Sequence, residues 1–265
     1  MTSLEEPNPI SPEQEPVVLP DYMTDPDAVL KDIDAKWRYK QPPDYKKTRK
    51  YYSETKSRNH AAGSLPQLVE NLVKNWEIEA SFKTQLSDWR TVDFSQYNFA
   101  INESEPVSAE HMLRVGTYNA IIQPGGSYYD PTAMDFDASH KTFKRMMPTF
   151  AWEVLEVFTE PPVVAFRWRH WGEFKGDYSA VNEAGESVRV AAHNRLIDIT
   201  GLTVAYLNEK MQVTKLKTWF DSEEMFRQMD PNGQAVRMPM ASCPIVGDSN
   251  EPVASGPVKD DLNVA

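Results

Sequence analysis

The stretch Phe150–Gly172, FAWEVLEVFTEPPVVAFRWRHWG, constrains the fold most. Two runs dense in β-branched and aromatic residues flank Thr159–Pro162, the pattern of two long strands joined by a tight turn. Strand alternation sorts their side chains. In the first strand Ala151, Glu153, Leu155 and Val157 share a face, opposite Phe150, Trp152, Val154, Glu156 and Phe158. In the second, Val164, Phe166, Trp168 and His170 lie opposite Val163, Ala165, Arg167, Arg169 and Trp171. Both faces are partly apolar, which predicts that both are covered, one by helices and the other by the preceding segment or a second subunit. Alternation alone leaves open which face is concave.

The elements around this hairpin set the fold class. Ser64 followed by Gln67 is a capping-box pattern, with Pro66 tolerated in the first turn. Leu65, Leu68, Val69, Leu72, Val73, Trp76 and Ala80 then recur at helical spacing, predicting a helix over 65–83. Glu77 and Glu79 flank its apolar stripe. Ser108 caps a predicted second helix, 109–122, with a break possible at Gly116; Asp137 caps a third, 138–147. After the hairpin a polar loop is expected over 173–187. Strand patterns resume at Val188–Val190, Leu196–Leu207 and Met211–Phe220, before a closing helix over 222–229. Helices first and then a meander predict an α+β fold: a cone-shaped, curved antiparallel sheet wrapped over the N-terminal helices, with a pocket at its open end.

Charge divides the chain. Residues 1–34 carry nine acidic side chains and one lysine, whereas the span 35–247 is neutral. The net charge of -11 is therefore a property of the ends and says little about partners of the folded part. The expected organisation is an acidic disordered tail over 1–25, a basic, Tyr-rich arm over 26–63, the α+β domain over 64–229 and a second disordered tail over 230–265. The arm interleaves Tyr39, Tyr45, Tyr51 and Tyr52 with basic residues. Without a recognised binding motif and on a neutral domain, this does not predict nucleic-acid binding. The start of the chain has neither the basic segment nor the apolar run of a secretory signal, and no stretch approaches a membrane span. A single cysteine, Cys243, suits a reducing compartment, and a cytoplasmic protein is expected. His60, His111, His140, His170 and His193 lack zinc-like spacing, so no metal is expected. No phosphate loop and no Gly-x-Ser-x-Gly elbow is present.

Three residues are candidates for chemistry. His170, on a strand face with Val164, Phe166 and Trp168, is either a satisfied core residue or a general acid/base at the pocket mouth. Glu153, alone among apolar neighbours, is its candidate carboxylate or else the partner of Arg167 or Arg169 across the hairpin. Asp198, among Ile197, Ile199, Thr200 and Leu202, needs a partner whether or not it is catalytic. Trp76, Tyr118, Phe166, Trp168, Arg169 and Trp219 are the candidate ligand-binding residues, and the tryptophans among them also suit a core.

At these residues the chain resembles the plant pathogen-related proteins and their microbial relatives, a branch of the SnoaL-like polyketide cyclase group with the nuclear-transport-factor-like cone fold. The matching segments are Trp37-Arg38 with Pro42-Pro43-Asp44-Tyr45, GSLPQLVENLVKNWEIE (63–79), FAWEVLEVF (150–158), PPVVAFRWRHWG (161–172) and MQVTKLKTWFD (211–221). Arg169-His170-Trp171-Gly172 after the Pro-Pro turn is the most specific piece. Trp76, Glu77, Glu79, Glu153, Arg169, His170 and Asp221 coincide with the family pattern. Asp198 stands where relatives carry Glu, and Glu156 where a plant relative carries Gln, so Glu156 is set aside. The resemblance implies cofactor-independent acid/base chemistry, as in a cyclase, dehydratase or isomerase, on a specialised-metabolite intermediate such as a polyketide or terpenoid. The same fold also hosts non-catalytic small-molecule binders of the stress- or pathogen-response type. The expected partners are an apolar or aromatic small molecule and a second copy docked through the sheet.

Overall fold

The structure is a computed structural model that describes residues 18–240. The expectations for 1–17 and 241–265, Cys243 among them, lie outside the described residues. In chain order the elements are α1 (Asp21–Thr24), α2 (Lys46–Thr55), α3 (Leu65–Phe82), β1 (Asn98–Ile101), β2 (Val107–Ser108), α4 (Ala109–Val115), α5 (Thr117–Ile121) and α6 (Phe136–Met146). There follow β3 (Ala151–Val157), β4 (Val163–Glu173), β5 (Tyr178–Val181), β6 (Glu186–Val190), β7 (Leu196–Leu207), β8 (Val213–Trp219), α7 (Ser222–Met229) and β9 (Val236–Pro239).

The main sheet has six strands in the order β2-β1-β8-β7-β4-β3. The hairpin predicted around Thr159–Pro162 is β3–β4, and β4 continues into a long antiparallel pairing with β7. Helices α3 and α5 lie against one face, giving the α+β cone expected from the sequence. The sheet is not a pure antiparallel meander, because β1 pairs parallel with β8. Four further expectations are corrected. The loop expected over 173–187 contains β5 and the start of β6, and β6 pairs with β9 from the segment expected to be a tail. Residues 21–24 of the other expected tail form α1, which buries Tyr22 and Met23. The cap of α6 is Asp135, which accepts from Ala138 N at 2.8 Å, rather than Asp137.

Helix α3 carries the architecture. Neither bond of its predicted capping box forms: Gln67 accepts from Gly63 N, one residue before the cap, Ser64 N donates to the Ala61 carbonyl, and Ser64 makes no side-chain cap. Its side away from the sheet is polar yet buried, because residues 21–32 wrap it. Asn75 accepts from Val29 N at 3.0 Å and donates to the carbonyls of Tyr22 and Asp25. Glu79 and Lys83, both fully buried, pair at 2.9 Å. Glu79 also accepts from Thr91 N, Thr91 Oγ1 and Arg90 N, so its lone pairs are filled. Between α4 and α5 the chain breaks at Gly116, whose φ of +90° and close approach to the Phe136 ring exclude a side chain.

Candidate functional site

One face of the sheet and α3 enclose a cavity of about 220 Å³. Register decides which face this is. His170 pairs with Trp152 and Ile199, Trp168 with Gly201, and Phe166 with Thr203. Val164, Phe166, Trp168 and His170 therefore point inward with Ile199, Thr203, Ala205 and Thr218. Trp76 and Tyr118 complete the set of expected ligand-binding residues that line the cavity. The Trp168 indole donates to Thr203 Oγ1 at 3.0 Å, and Thr203 shares a hydrogen bond of 2.8 Å with Thr218. This fixes the ring across Gly201, where any Cβ would sit 2.3 Å from Trp168 Cζ2.

The same register sends the other candidates to the opposite face. Arg169 pairs with Glu153 and with Thr200 across its two neighbouring strands, and none of the three lines the cavity. Arg169 donates to Asp198 at 2.8–3.0 Å and to Glu153 at 3.1 Å. Those hydrogen bonds, Asp198 first, hold its guanidinium pKa above the ordinary value despite burial. Glu153, fully buried, also accepts from Ser57 N, Ser57 Oγ and Arg58 N at 2.9–3.1 Å. The structure thus brings Glu153 and Asp198 together on Arg169, not on His170. Glu153 ties the arm to the sheet. Trp219 is likewise on the outer face, donating to Glu103 at 3.1 Å.

His170 stands on the cavity wall, stacked on Phe150 with ring centroids 3.4 Å apart. Burial first, and then the charge of Lys144, push its pKa down to about 3, with the Phe150 backbone opposing. It is a neutral imidazole near pH 7.

The polar end of the cavity is built from residues that strand alternation does not reveal. Glu77, on the other side of α3 from Glu79, faces the cavity. It accepts a hydrogen bond from the Tyr45 hydroxyl, another from Ser81 at 3.3 Å, and faces Lys144 Nζ at 3.6 Å. Tyr45 and Tyr52 come from the arm, so the arm is a wall of the cavity. Tyr52 donates to Glu70, which pairs with Lys74 at 2.7 Å and accepts from Val154 N at 2.9 Å. Burial and then Glu77 hold the Tyr45 hydroxyl well above the ordinary phenol pKa, so it is a donor. The sequence signal for this end was the alternation of tyrosine with basic residues in the arm, together with Glu77 beside the α3 stripe. Among the described residues no cluster of three or more metal-ligating side chains occurs. No helix among them is long and apolar enough to cross a membrane.

Helices set into one face of a six-stranded sheet, around an apolar cavity with a small polar end, define a cone of the α+β class. The chain is similar to a protein named pathogen-related protein from Hordeum vulgare, 29% identical over 192 residues, which cover 70% of this chain and 78% of that one. This bears out the resemblance drawn from the Pro-Pro hairpin and the helix after Ser64. No family model matches the chain. Among solved structures, a protein assigned as a SnoaL-like polyketide cyclase from Jannaschia sp. CCS1 is 12% identical, with 59% of this chain and 83% of that chain covered at a TM-score of 0.32. IdmH from Streptomyces antibioticus, assigned as a polyketide cyclase, is 13% identical, with 62% and 98% covered at a TM-score of 0.35. A protein with a ketosteroid isomerase-like fold from Catenulispora acidiphila is 8% identical, with 60% and 91% covered at a TM-score of 0.34.

Proposed function

We propose that the chain takes an apolar or aromatic specialised-metabolite intermediate, such as a polyketide or terpenoid, into this cavity and acts on it by cofactor-independent proton transfer, as a cyclase, dehydratase or isomerase. The observation that carries the reading is the Tyr45–Glu77–Lys144 cluster at one end of an otherwise apolar wall. Glu77 is the candidate base, Tyr45 and Lys144 are donors for a developing oxyanion, and neutral His170 is a hydrogen-bond donor or weak base for a substrate carbonyl. Glu153 and Asp198 are assigned to positioning the arm. The test is proton–deuterium exchange α to the carbonyl of an aromatic polyketide-type ketone, followed by NMR in deuterated buffer. Exchange catalysed by the wild type, reduced about a hundredfold or more in Glu77→Gln and retained in Asp198→Asn, supports the reading. A ligand bound without exchange supports the second reading, a non-catalytic binder. That reading is favoured by the engagement of both expected carboxylates by Arg169 on the far side of the sheet. Half-buried Leu202, Val204 and Tyr206 on that outer face are the proposed contact for a second copy, to be checked by light scattering. Cell fractionation tests the cytoplasmic location.

A further inference from the structure

The charged lining of the cavity is unbalanced: Arg49, Lys74 and Lys144 stand against Glu77 alone. Arg49 and Lys74 are held from behind, by Asp27 at 2.8 Å and by Glu70 at 2.7 Å, carboxylates outside the lining. Lys144 is different. Its acid partner, Glu77 Oε1, is 3.6 Å away, which is a charge contact but longer than the ~2.7–2.9 Å of a charge-assisted hydrogen bond. Glu77 is meanwhile occupied by Tyr45 and Ser81. The rings of Tyr45 and Phe82 lie 5.5 and 5.7 Å from Lys144 Nζ. With 36% of its side chain exposed on a concave wall, the ammonium keeps donors that no acceptor among the described residues fills. Burial pulls its pKa down, but Glu77 and Tyr118 more than offset this, so it stays a cation.

We propose that Lys144 is an anion subsite at the polar end of the cavity, and that the ligand class is an aromatic acid: a carboxylate on Lys144 and a flat apolar body along Trp76, Phe166 and Trp168. This deepens the proposed function and rests on its cavity. A carboxylate there completes the coordination of the ammonium, while its ring system lies against apolar wall. Glu77 limits the ligand to the side of Lys144 that faces away from α3, because a carboxylate placed against Glu77 is repelled.

The experiment titrates the full chain with naphthalene-2-carboxylate and, separately, with naphthalene-2-methanol, an uncharged probe of nearly the same shape. Binding is read by quenching of the cavity tryptophans. The expected result is a preference for the carboxylate of about tenfold to a hundredfold, the worth of one charge-assisted hydrogen bond. Lys144→Met should abolish the preference and Lys144→Arg should keep it. If Lys144→Met does not fold, the wild-type preference and its loss in Lys144→Gln carry the test. Equal binding of the two probes, or a preference that survives removal of the Lys144 charge, overturns the subsite and leaves the cavity reading standing. Binding of neither probe overturns both.

Discussion

Arg169 on β4 joins Glu153 on β3, at 3.1 Å, to Asp198 on β7, at 2.8 Å, and through Glu153 it holds the arm at Ser57 and Arg58. Glu153→Ala removes a buried acceptor and strands two backbone N–H groups, while Arg169 keeps Asp198. The expected loss is about 3–4 kcal/mol of stability, at the lower part of the range for breaking a buried pair. Urea denaturation measures it. Limited proteolysis should show new cleavage between residues 46 and 63, where the released arm lies. An intact arm and unchanged stability would remove Glu153 from the anchoring role.

Trp168 and Gly201 form a cross-strand pair in which the indole occupies the space a side chain would fill. Gly201→Ala therefore displaces a ring that is hydrogen-bonded to Thr203. The expected cost is about 1–3 kcal/mol, as for overpacking a filled core. The displaced indole should also shrink the cavity, weakening the binding of any aromatic probe. A variant with wild-type stability and affinity would show that the ring is not fixed there.

Two histidines, His140 buried and His170 half-buried, should set the acid limit of stability. Burial, first, pushes His140 down to about 4 and His170 down to about 3, with Lys144 adding to both. The unfolded imidazoles protonate near 6.5. Below that pH the unfolded state binds more protons than the folded one. Stability is thus whole above 6.5 and is lost as pH falls, down to about 4 for His140 and about 3 for His170. The slope is at most about 1.4 kcal/mol per pH unit for each histidine, and less for His170, which is partly exposed. Denaturation midpoints measured from about pH 7 to pH 5 should fall more steeply in the wild type than in His140→Gln or His170→Gln. Parallel curves would contradict neutral burial.

How much of this was legible in the sequence differs between strands and helices. Period-two alternation sorted Phe166, Trp168 and His170 from Arg169 and Trp171 correctly, because a strand has only two faces. It did not say which face is concave, since curvature follows from what packs against the sheet. Arg169 alternates away from Trp168 and His170, so neither choice of concave face puts it on one wall with them. Glu153, Asp198 and Trp219 are placed by the register between strands, which alternation within a strand does not give. An acid among apolar strand neighbours needs a partner, and Glu153 found it in Arg169 and the arm. Lys144 and Tyr45 were out of reach for another reason. They meet Glu77 only because α6 and the arm converge on α3, a tertiary arrangement that no local period encodes. The strand β9 is similar: it exists because β6 offers it an edge.

Glu77 and Glu79 are two residues apart on α3 and should respond to mutation in opposite ways. Glu79 is fully buried and accepts from Lys83, Arg90 N, Thr91 N and Thr91 Oγ1, all at 2.6–3.0 Å. Glu79→Ala leaves Lys83 with Asp32 alone among carboxylates and strands two backbone donors, so a loss of about 3–5 kcal/mol is expected. Glu77 is partly exposed to the cavity, and its amide can still accept from Tyr45. Glu77→Gln should therefore shift stability by less than about 1 kcal/mol. It should nevertheless remove proton exchange on a ketone substrate, because the amide cannot act as a base. Thermal melts of the two variants beside their exchange rates separate the roles. If Glu79→Ala is as stable as the wild type, or if Glu77→Gln exchanges as fast, the division of labour along α3 is wrong.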